Sequence, residues 1–307
     1  MKQLMPELPD IDAYVNALDS RLSGQRLTSI QLLNPFFLRT AEPPVDELIG
    51  RQVSEFRRLG KRIAIGFSEE YWLVIHLMIA GRFQWQDAGA KAKKPTRNTL
   101  AVLEFDSGVL TVTEAGTKKR ASLHLIQGTG NLEHHNPGGL EVLENDFAAF
   151  DAALRAQNRT LKRALTDPRI LSGIGNAYSD EILHAARLSP VTLTSKLDDE
   201  AMHRLFDATR STLIEWRDRL GAEAARAFPA KVTAFRPEMA VHGKYGKPCP
   251  VCGTNVQRIR YASNETNYCP RCQTDGKLLA DRALSRLLKK DWPRSIEELE
   301  KLKPGDG

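Results

Sequence analysis

The chain's cysteines fall into two pairs, Cys249-Pro-Val-Cys252 and Cys269-Pro-Arg-Cys272, with residues 253–268 between them. Two CxxC pairs at that separation make a four-thiolate tetrahedral zinc site, usually in a small β-hairpin ribbon. There is no other cysteine, so one metal accounts for every thiol, which argues against disulfides and a thiol nucleophile. Gly253 and Gln273 supply turn chemistry after each pair, and Tyr268 precedes the second. Four protein ligands leave no open position for a catalytic water, so the zinc is structural. It supplies folding energy on the order of 10 kcal/mol to this segment.

A second stretch with chemical potential is Asp167-Pro-Arg-Ile-Leu-Ser-Gly173-Ile-Gly175-Asn176-Ala-Tyr178-Ser-Asp-Glu181. The preceding helix must stop before Pro168. Gly173 and Gly175 permit a tight backbone path, and Asn176 is expected at the N-cap of the next helix. A helix N-terminus opened by glycines is a phosphate site, because its N–H groups and dipole point at the anion. From these residues alone, a plain helix-connecting turn with a capping Asn is the other reading.

The elements that must position these groups follow from periodicity. Residues 6–24 open with a Pro-Glu-Leu-Pro-Asp turn and continue as a helix with Ile11, Tyr14, Val15 and Leu18 on one face. From about residue 26 to 126 the chain breaks into short strand-like runs: Leu27–Leu33, Arg62–Phe67, Trp72–Leu77, Leu100–Phe105 and Val109–Thr113. Helical spacing returns from about 145 to 225, as in Phe147/Phe150/Leu154 and Leu205/Thr209/Leu213/Trp216. A basic tail, Lys277–Lys303, carries Leu278, Leu279, Leu284, Leu287 and Leu288 at helical spacing. The fold class is α+β multidomain. A β-sandwich domain is expected over 1–130, a linker over 131–145, a helical domain over 146–238, the zinc ribbon over 239–275 and a basic helical tail over 276–307.

Composition narrows the function class without deciding it. The 44 basic residues against 38 acidic give a charge of +6 and a pI near 9.1, which suits a polyanion-binding protein. No apolar run reaches the ~18 residues a spanning helix needs. The start, Met1-Lys2-Gln3-Leu4-Met5-Pro6, lacks the apolar core of a secretory signal. Thiols kept for zinc and no export signal point to the cytoplasm.

Four features in order resemble the formamidopyrimidine-DNA glycosylase and endonuclease VIII family. They are Pro6-Glu7-Leu8-Pro9-Asp10, Gly60-Lys61 opening a strand after Arg57-Arg58, the 167–181 segment, and the ribbon. The likeness covers roughly residues 5–273, and it implies the following. The Pro6 nitrogen attacks C1′ of a damaged nucleotide to form a Schiff base, Glu7 acts as general acid/base, and Lys61 binds a neighbouring phosphate. Gly175 and Asn176 hold another phosphate of damaged double-stranded DNA. The activity implied is base-excision repair by a bifunctional DNA glycosylase and abasic-site lyase, acting as a monomer, with a DNA cleft between its domains. Leu8 places the chain nearer the branch acting on oxidised purines, such as 8-oxoguanine and formamidopyrimidines.

The chain also departs from that pattern. Met1–Met5 precede Pro6, so a chain starting at Met1 leaves the Pro6 nitrogen as an amide. A start at Met5, with the methionine trimmed, would free it. Asn264 stands where the family carries an arginine at the ribbon tip, with Glu265 beside it and Arg258 and Arg260 on the approaching strand. Ile79 or Met78 takes the place of the duplex-filling wedge. Lys118, Lys119 and Arg120 offer cations without the usual aromatic. The alternative is a glycosylase-like protein that binds damaged DNA without cutting it.

Overall fold

A computed structural model describes residues 5–90, 94–230, 232, 235–261, 264–280 and 293–301. The chain forms two compact units: residues up to 139 together with 214–234, and residues 140–213 together with 235 onward.

The first unit begins with helix α1 (Leu8–Leu22), which starts directly after Pro6-Glu7. Asp10, at its third helical position, accepts the Glu7 N–H at 3.0 Å and so fixes the helix start. Among the described residues eight strands follow: β1 (Leu27–Leu32), β2 (Val53–Leu59), β3 (Arg62–Phe67), β4 (Tyr71–His76), β5 (Gly81–Asp87), β6 (Thr99–Phe105), β7 (Gly108–Glu114) and β8 (Ser122–Gln127). They form two antiparallel sheets, ordered β1-β6-β7-β5 and β2-β3-β4-β8. The inward side chains of both sheets, among them Ile63, Ile65, Leu73, Ile75, Leu103, Leu110 and Val112, meet in one core. Ile11, Tyr14, Leu18 and Leu22 of α1 belong to the same core, so the helix that follows Pro6 and Glu7 is anchored by apolar burial.

The stretch expected as a linker carries structure of its own. Helix α2 (Thr129–Leu132) places Leu132 on the outer face of the second sheet, against Leu59, Ala64, Trp72 and Val74. The cover on both faces explains why β3 and β4 read as near-continuous apolar runs rather than alternating ones.

The second unit is helical before it reaches the ribbon. It contains α3 (Phe147–Arg155), α4 (Leu161–Thr166), α5 (Asn176–Ala185) and residues 199–213 of the long α6 (Asp199–Arg226). Asp146 caps α3 by accepting the Ala149 N–H at 2.9 Å. The ribbon is the hairpin β9 (Gln257–Tyr261) and β10 (Asn264–Tyr268), followed by one helical turn, α7 (Pro270–Thr274).

The tail departs from expectation. Residues 277–280 are not helical: Lys277 bridges Ser295, and the Leu278 N–H donates to the Arg294 carbonyl at 2.9 Å. Helix is found instead at Ile296–Lys301. Leu284, Leu287 and Leu288 lie outside the described residues.

Candidate active site and nucleic-acid-binding elements

In the first unit, Pro6 and Glu7 are both buried, Glu7 to 1% exposure, and they run directly into α1. Lys61 lies at the tip of the β2–β3 hairpin. Leu59 pairs with Arg62, leaving Gly60 and Lys61 as the two turn residues. Gly60 takes φ +61°, a conformation that a residue with a Cβ adopts at a cost. One guanidinium joins these two pieces. Arg58 Nε meets Asp12 Oδ1 of α1 at 2.7 Å, and Arg58 Nη1 donates to the Gly60 carbonyl at 3.4 Å. The backbone just before Lys61 is thereby tied to the helix that follows Pro6-Glu7.

The wedge candidate is held by the same sheet. His76 ends β4 opposite Arg62. Burial first, then the charges of Arg62 and Lys61, bring its pKa down to about 4. The neutral ring therefore accepts the Met78 N–H through Nδ1 at 3.0 Å. The Gly81 N–H closes the loop on the Leu77 carbonyl at 2.9 Å. A Cβ at 81 would lie 2.2 Å from that oxygen, so the turn requires glycine. Met78 turns through φ +53°, and Ile79 is left 40% exposed at the crest. Arg82 buttresses the loop: Nη1 donates to the Ile79 carbonyl at 3.1 Å, and Nε donates to the Val232 carbonyl at 2.7 Å.

Lys119 and Arg120 do not behave alike. The Lys119 ammonium donates to Asn98 Oδ1 at 3.2 Å and to the Glu114 carbonyl. It serves the loop's own fold, whereas the Arg120 side chain is exposed. Glu114 explains the shape of this loop. It occupies an inward position of β7, 2% exposed, and its carboxylate accepts the N–H groups of Arg120 at 2.9 Å and Ala121 at 3.1 Å.

In the second unit, Gly175, not Asn176, is the N-cap of α5; its φ of −128° is extended, and Asn176 is the first helical residue. The Asn176 side chain is used elsewhere: Nδ2 donates to the Glu265 carbonyl of β10 at 2.8 Å. Lys162 Nζ donates to the Asn176 carbonyl at 2.7 Å and to Asp180 Oδ1 at 2.5 Å. Asp180, fully enclosed, also receives His242 Nδ1 at 2.7 Å and the Asn267 N–H at 3.1 Å. Glu181 takes the N–H groups of Ala240, Val241 and His242 at 2.7–3.0 Å, although burial raises its pKa. These acids fix the path of residues 240–242 into the ribbon.

At the hairpin, Asn264 begins β10 opposite Tyr261; their side chains, with residues 262–263, lie outside the described part. Arg258 and Arg260, the cations on the approaching strand, both pair with Glu265 Oε2, at 3.5 and 3.2 Å. Arg258 also lies over the Tyr245 ring at 4.0 Å.

The four cysteine sulfurs lie within 4.8 Å of one another, with Cys252–Cys269 at 3.4 Å and Cys249–Cys272 at 3.9 Å. Four thiolates at tetrahedral Zn–S distances sit about 3.8 Å apart, so the donor set fits zinc.

Sequence reasoning missed Asp12, Arg58, Arg82, Glu114, Lys162 and Asp180. Glu114 left a readable sign, since a carboxylate follows Leu110 and Val112 on an inward-facing register. The others act through partners far away in sequence.

The comparisons with known proteins agree with this assembly. Residues 5–119 match the formamidopyrimidine-DNA glycosylase N-terminal domain, 139–217 the formamidopyrimidine-DNA glycosylase H2TH domain, and 246–274 the zinc finger found in FPG and IleRS. The formamidopyrimidine-DNA glycosylase of Heliobacterium modesticaldum is 31% identical over 88% of this chain and its own whole length. That of Desulforamulus reducens is 30% identical over 88% of this chain and 99% of its own. Among solved structures, the Lactococcus lactis enzyme bound non-covalently to DNA containing an AP site is 26% identical with a TM-score of 0.75, covering 87% of this chain and 99% of its own. The wild-type Lactococcus lactis protein in complex with DNA containing an oxidised pyrimidine reaches a TM-score of 0.77 at 26% identity, covering 88% of this chain and 100% of its own. The four cysteines are thus the ligands of one structural zinc. The chain belongs to the formamidopyrimidine-DNA glycosylase family, and so to the base-excision repair glycosylases that also cleave abasic sites.

Proposed function

We propose that this chain excises oxidised purines, 8-oxoguanine and formamidopyrimidines, from duplex DNA through a Schiff base on Pro6. The reading is carried by one observation: Arg58 ties the hairpin bearing Lys61 to the helix that directly follows Pro6-Glu7. In this mechanism Pro6, freed by a start at Met5 and removal of that methionine, presents a secondary amine. An α-amino group has a reference pKa of ~8, so a useful fraction is unprotonated near neutral pH. The nitrogen attacks C1′ and the damaged base departs, with Glu7 as the general acid/base. Loss of the 3′ phosphate from the Schiff base then cuts the strand. Lys61 holds a phosphate beside the lesion, and Gly175 and Asn176 at the start of α5 hold another. Ile79 fills the stack as the base leaves it, at a cost of a few kcal/mol. Arg120 and the β10 segment from Asn264 contact the backbone, and the zinc supplies the ribbon's scaffold. The protein works as a cytoplasmic monomer on damaged double-stranded DNA; the described residues include no helix long and apolar enough to cross a membrane. Log affinity should fall by about 0.9 per phosphate neutralised for each tenfold rise in salt.

Borohydride trapping on a duplex containing 8-oxoguanine or an abasic site tests the reading. Protein beginning at Met5 should give a covalent adduct, and protein retaining Met1 should give none. Equal trapping by both forms would remove Pro6 as the nucleophile. Tight binding of damaged duplex with no adduct from either would favour a protein that binds lesions without cutting.

A further inference from the structure

We propose that His184 donates a hydrogen bond to the zinc thiolate of Cys249 and that this bond retains the metal. His184 Nε2 lies 3.3 Å from Cys249 Sγ. Both residues are buried, 6% and 2% exposed, so water is a poor substitute donor at this sulfur. Cys252 and Cys272, by contrast, are partly open to solvent, and the Cys269 sulfur receives the Cys272 N–H at 3.5 Å. Four thiolates around a divalent cation carry a net charge of −2. N–H donors spread that charge and weaken the competition from protons, oxidants and chelators for the sulfur lone pairs.

The imidazole is placed there by its helix. Asn176, Asp180 and His184 recur every fourth residue along α5 and share one face. Asn176 meets the Glu265 carbonyl at 2.8 Å, and Asp180 meets the Asn267 N–H at 3.1 Å and His242 at 2.7 Å. The contacts of Asn176 and Asp180 fix the rotation of the helix against the ribbon, and that of His184 then falls on a metal ligand. His184 is accordingly a positioning residue for the zinc site. It takes no part in the glycosylase chemistry.

The test uses the zinc-loaded full chain. Zinc release to excess EDTA is followed with a colorimetric zinc indicator for wild type, His184→Phe and His184→Gln. The Phe variant keeps an aromatic ring of similar size without the donor, and the Gln variant keeps an N–H. Release should be about tenfold faster for Phe, with Gln close to wild type. Equal rates for wild type and Phe, or a Gln variant as fast as Phe, would overturn the proposal. Should the Phe variant not fold, cadmium-113-substituted wild type decides. A His184 Nε2 proton with scalar coupling to the metal supports the bond, and an Nδ1–H tautomer with no such coupling excludes it.

Discussion

Two of the elements predicted to contact the DNA backbone are hairpins, and they are stabilised by opposite means. The β2–β3 tip at Gly60-Lys61 rises from a sheet whose Ile63, Ile65, Leu73 and Ile75 are fully buried. Among the described residues, the cluster beside the β9–β10 hairpin is small: Val241, Cys249, Val256 and Cys269, with Ala240, Cys252 and Cys272 packed against it. The first tip inherits its geometry from a large apolar core and the Arg58–Asp12 ion pair. The second depends on a metal and on polar ties to α5. Their charges differ as well: Arg58 uses its carboxylate partner to anchor Lys61's strand to a helix, whereas Glu265 draws Arg258 and Arg260 onto itself. A cation in a sequence is therefore no guide to DNA contact until its counter-ion is known.

The contrast breaks most sharply under zinc removal. Chelation, or Cys252→Ser, takes away stabilisation on the order of 10 kcal/mol from the ribbon. Amide protection should vanish across Gln257–Tyr268 in hydrogen exchange and persist in β3 and β4. Loss of protection in both would show that the sandwich, too, depends on the metal. The next largest effect falls on chemistry alone. Lys61→Met should lower the rate of base excision on the order of a hundredfold and leave the thermal midpoint nearly unchanged, because the side chain belongs to a turn. A midpoint that drops with the rate would assign Lys61 to the fold instead.

Arg58→Met sharpens the same comparison. With Asp12 21% and Arg58 12% exposed as side chains, the pair is only partly screened. Its loss should cost about 1–2 kcal/mol of stability and about tenfold in kcat, as the Lys61 backbone loses its tie to α1. Arg58→Lys should recover stability better than rate, since an ammonium lacks the planar fork that reaches both Asp12 and the Gly60 carbonyl. Equal recovery of both would mean that the geometry at Gly60 does not matter.

What could be read in the sequence follows the same division. The cysteines were legible because a metal demands fixed residue types at fixed spacing. The sandwich was legible where apolar runs such as Arg62–Phe67 are broken by turns. Val53–Leu59, with Glu55, Arg57 and Arg58 in mid-strand, has no clean alternation to find. Asn176 looked like a cap because its type suits one. Its actual partner is a carbonyl 89 positions away, and no local pattern records that. The tail illustrates the reverse error: Lys277–Ala280 has helical spacing, but the Ser295 bridge and the Tyr268 hydroxyl, which accepts the Leu279 N–H at 2.8 Å, hold it otherwise.

Acid should expose a weakness in the first hairpin's sheet. The folded-state pKa of His76, about 4, lies below the 6.5 of an unfolded histidine. The unfolded chain therefore takes up the proton first. The stability that this neutral ring supports is complete above pH 6.5 and is lost as pH falls from there toward 4. By pH 5 the loss from His76 is about 2 kcal/mol. Thermal midpoints between pH 7.5 and 5 should show it, and His76→Asn should flatten the profile. An Asn variant as acid-sensitive as wild type would place the effect elsewhere, with His124, also held near pKa 4, as the next candidate.

The smallest expected effect concerns the second hairpin, and it separates two explanations of its weak charge. If Glu265 alone masks Arg258 and Arg260, Glu265→Gln should leave both arginines able to meet phosphate. Affinity for a damaged duplex should then rise severalfold, and the salt slope should steepen by about 1–2. The Glu265 carbonyl that receives Asn176 is backbone and survives the change, so the hold of α5 on β10 should be preserved. The Tyr245 ring beneath Arg258 should keep that guanidinium near its present place. An unchanged slope would mean that the arginines are bound to the ribbon rather than masked by it. In that case, among the described residues of the hairpin nothing replaces the charge lost at Asn264, and the phosphate contact falls to the start of α5.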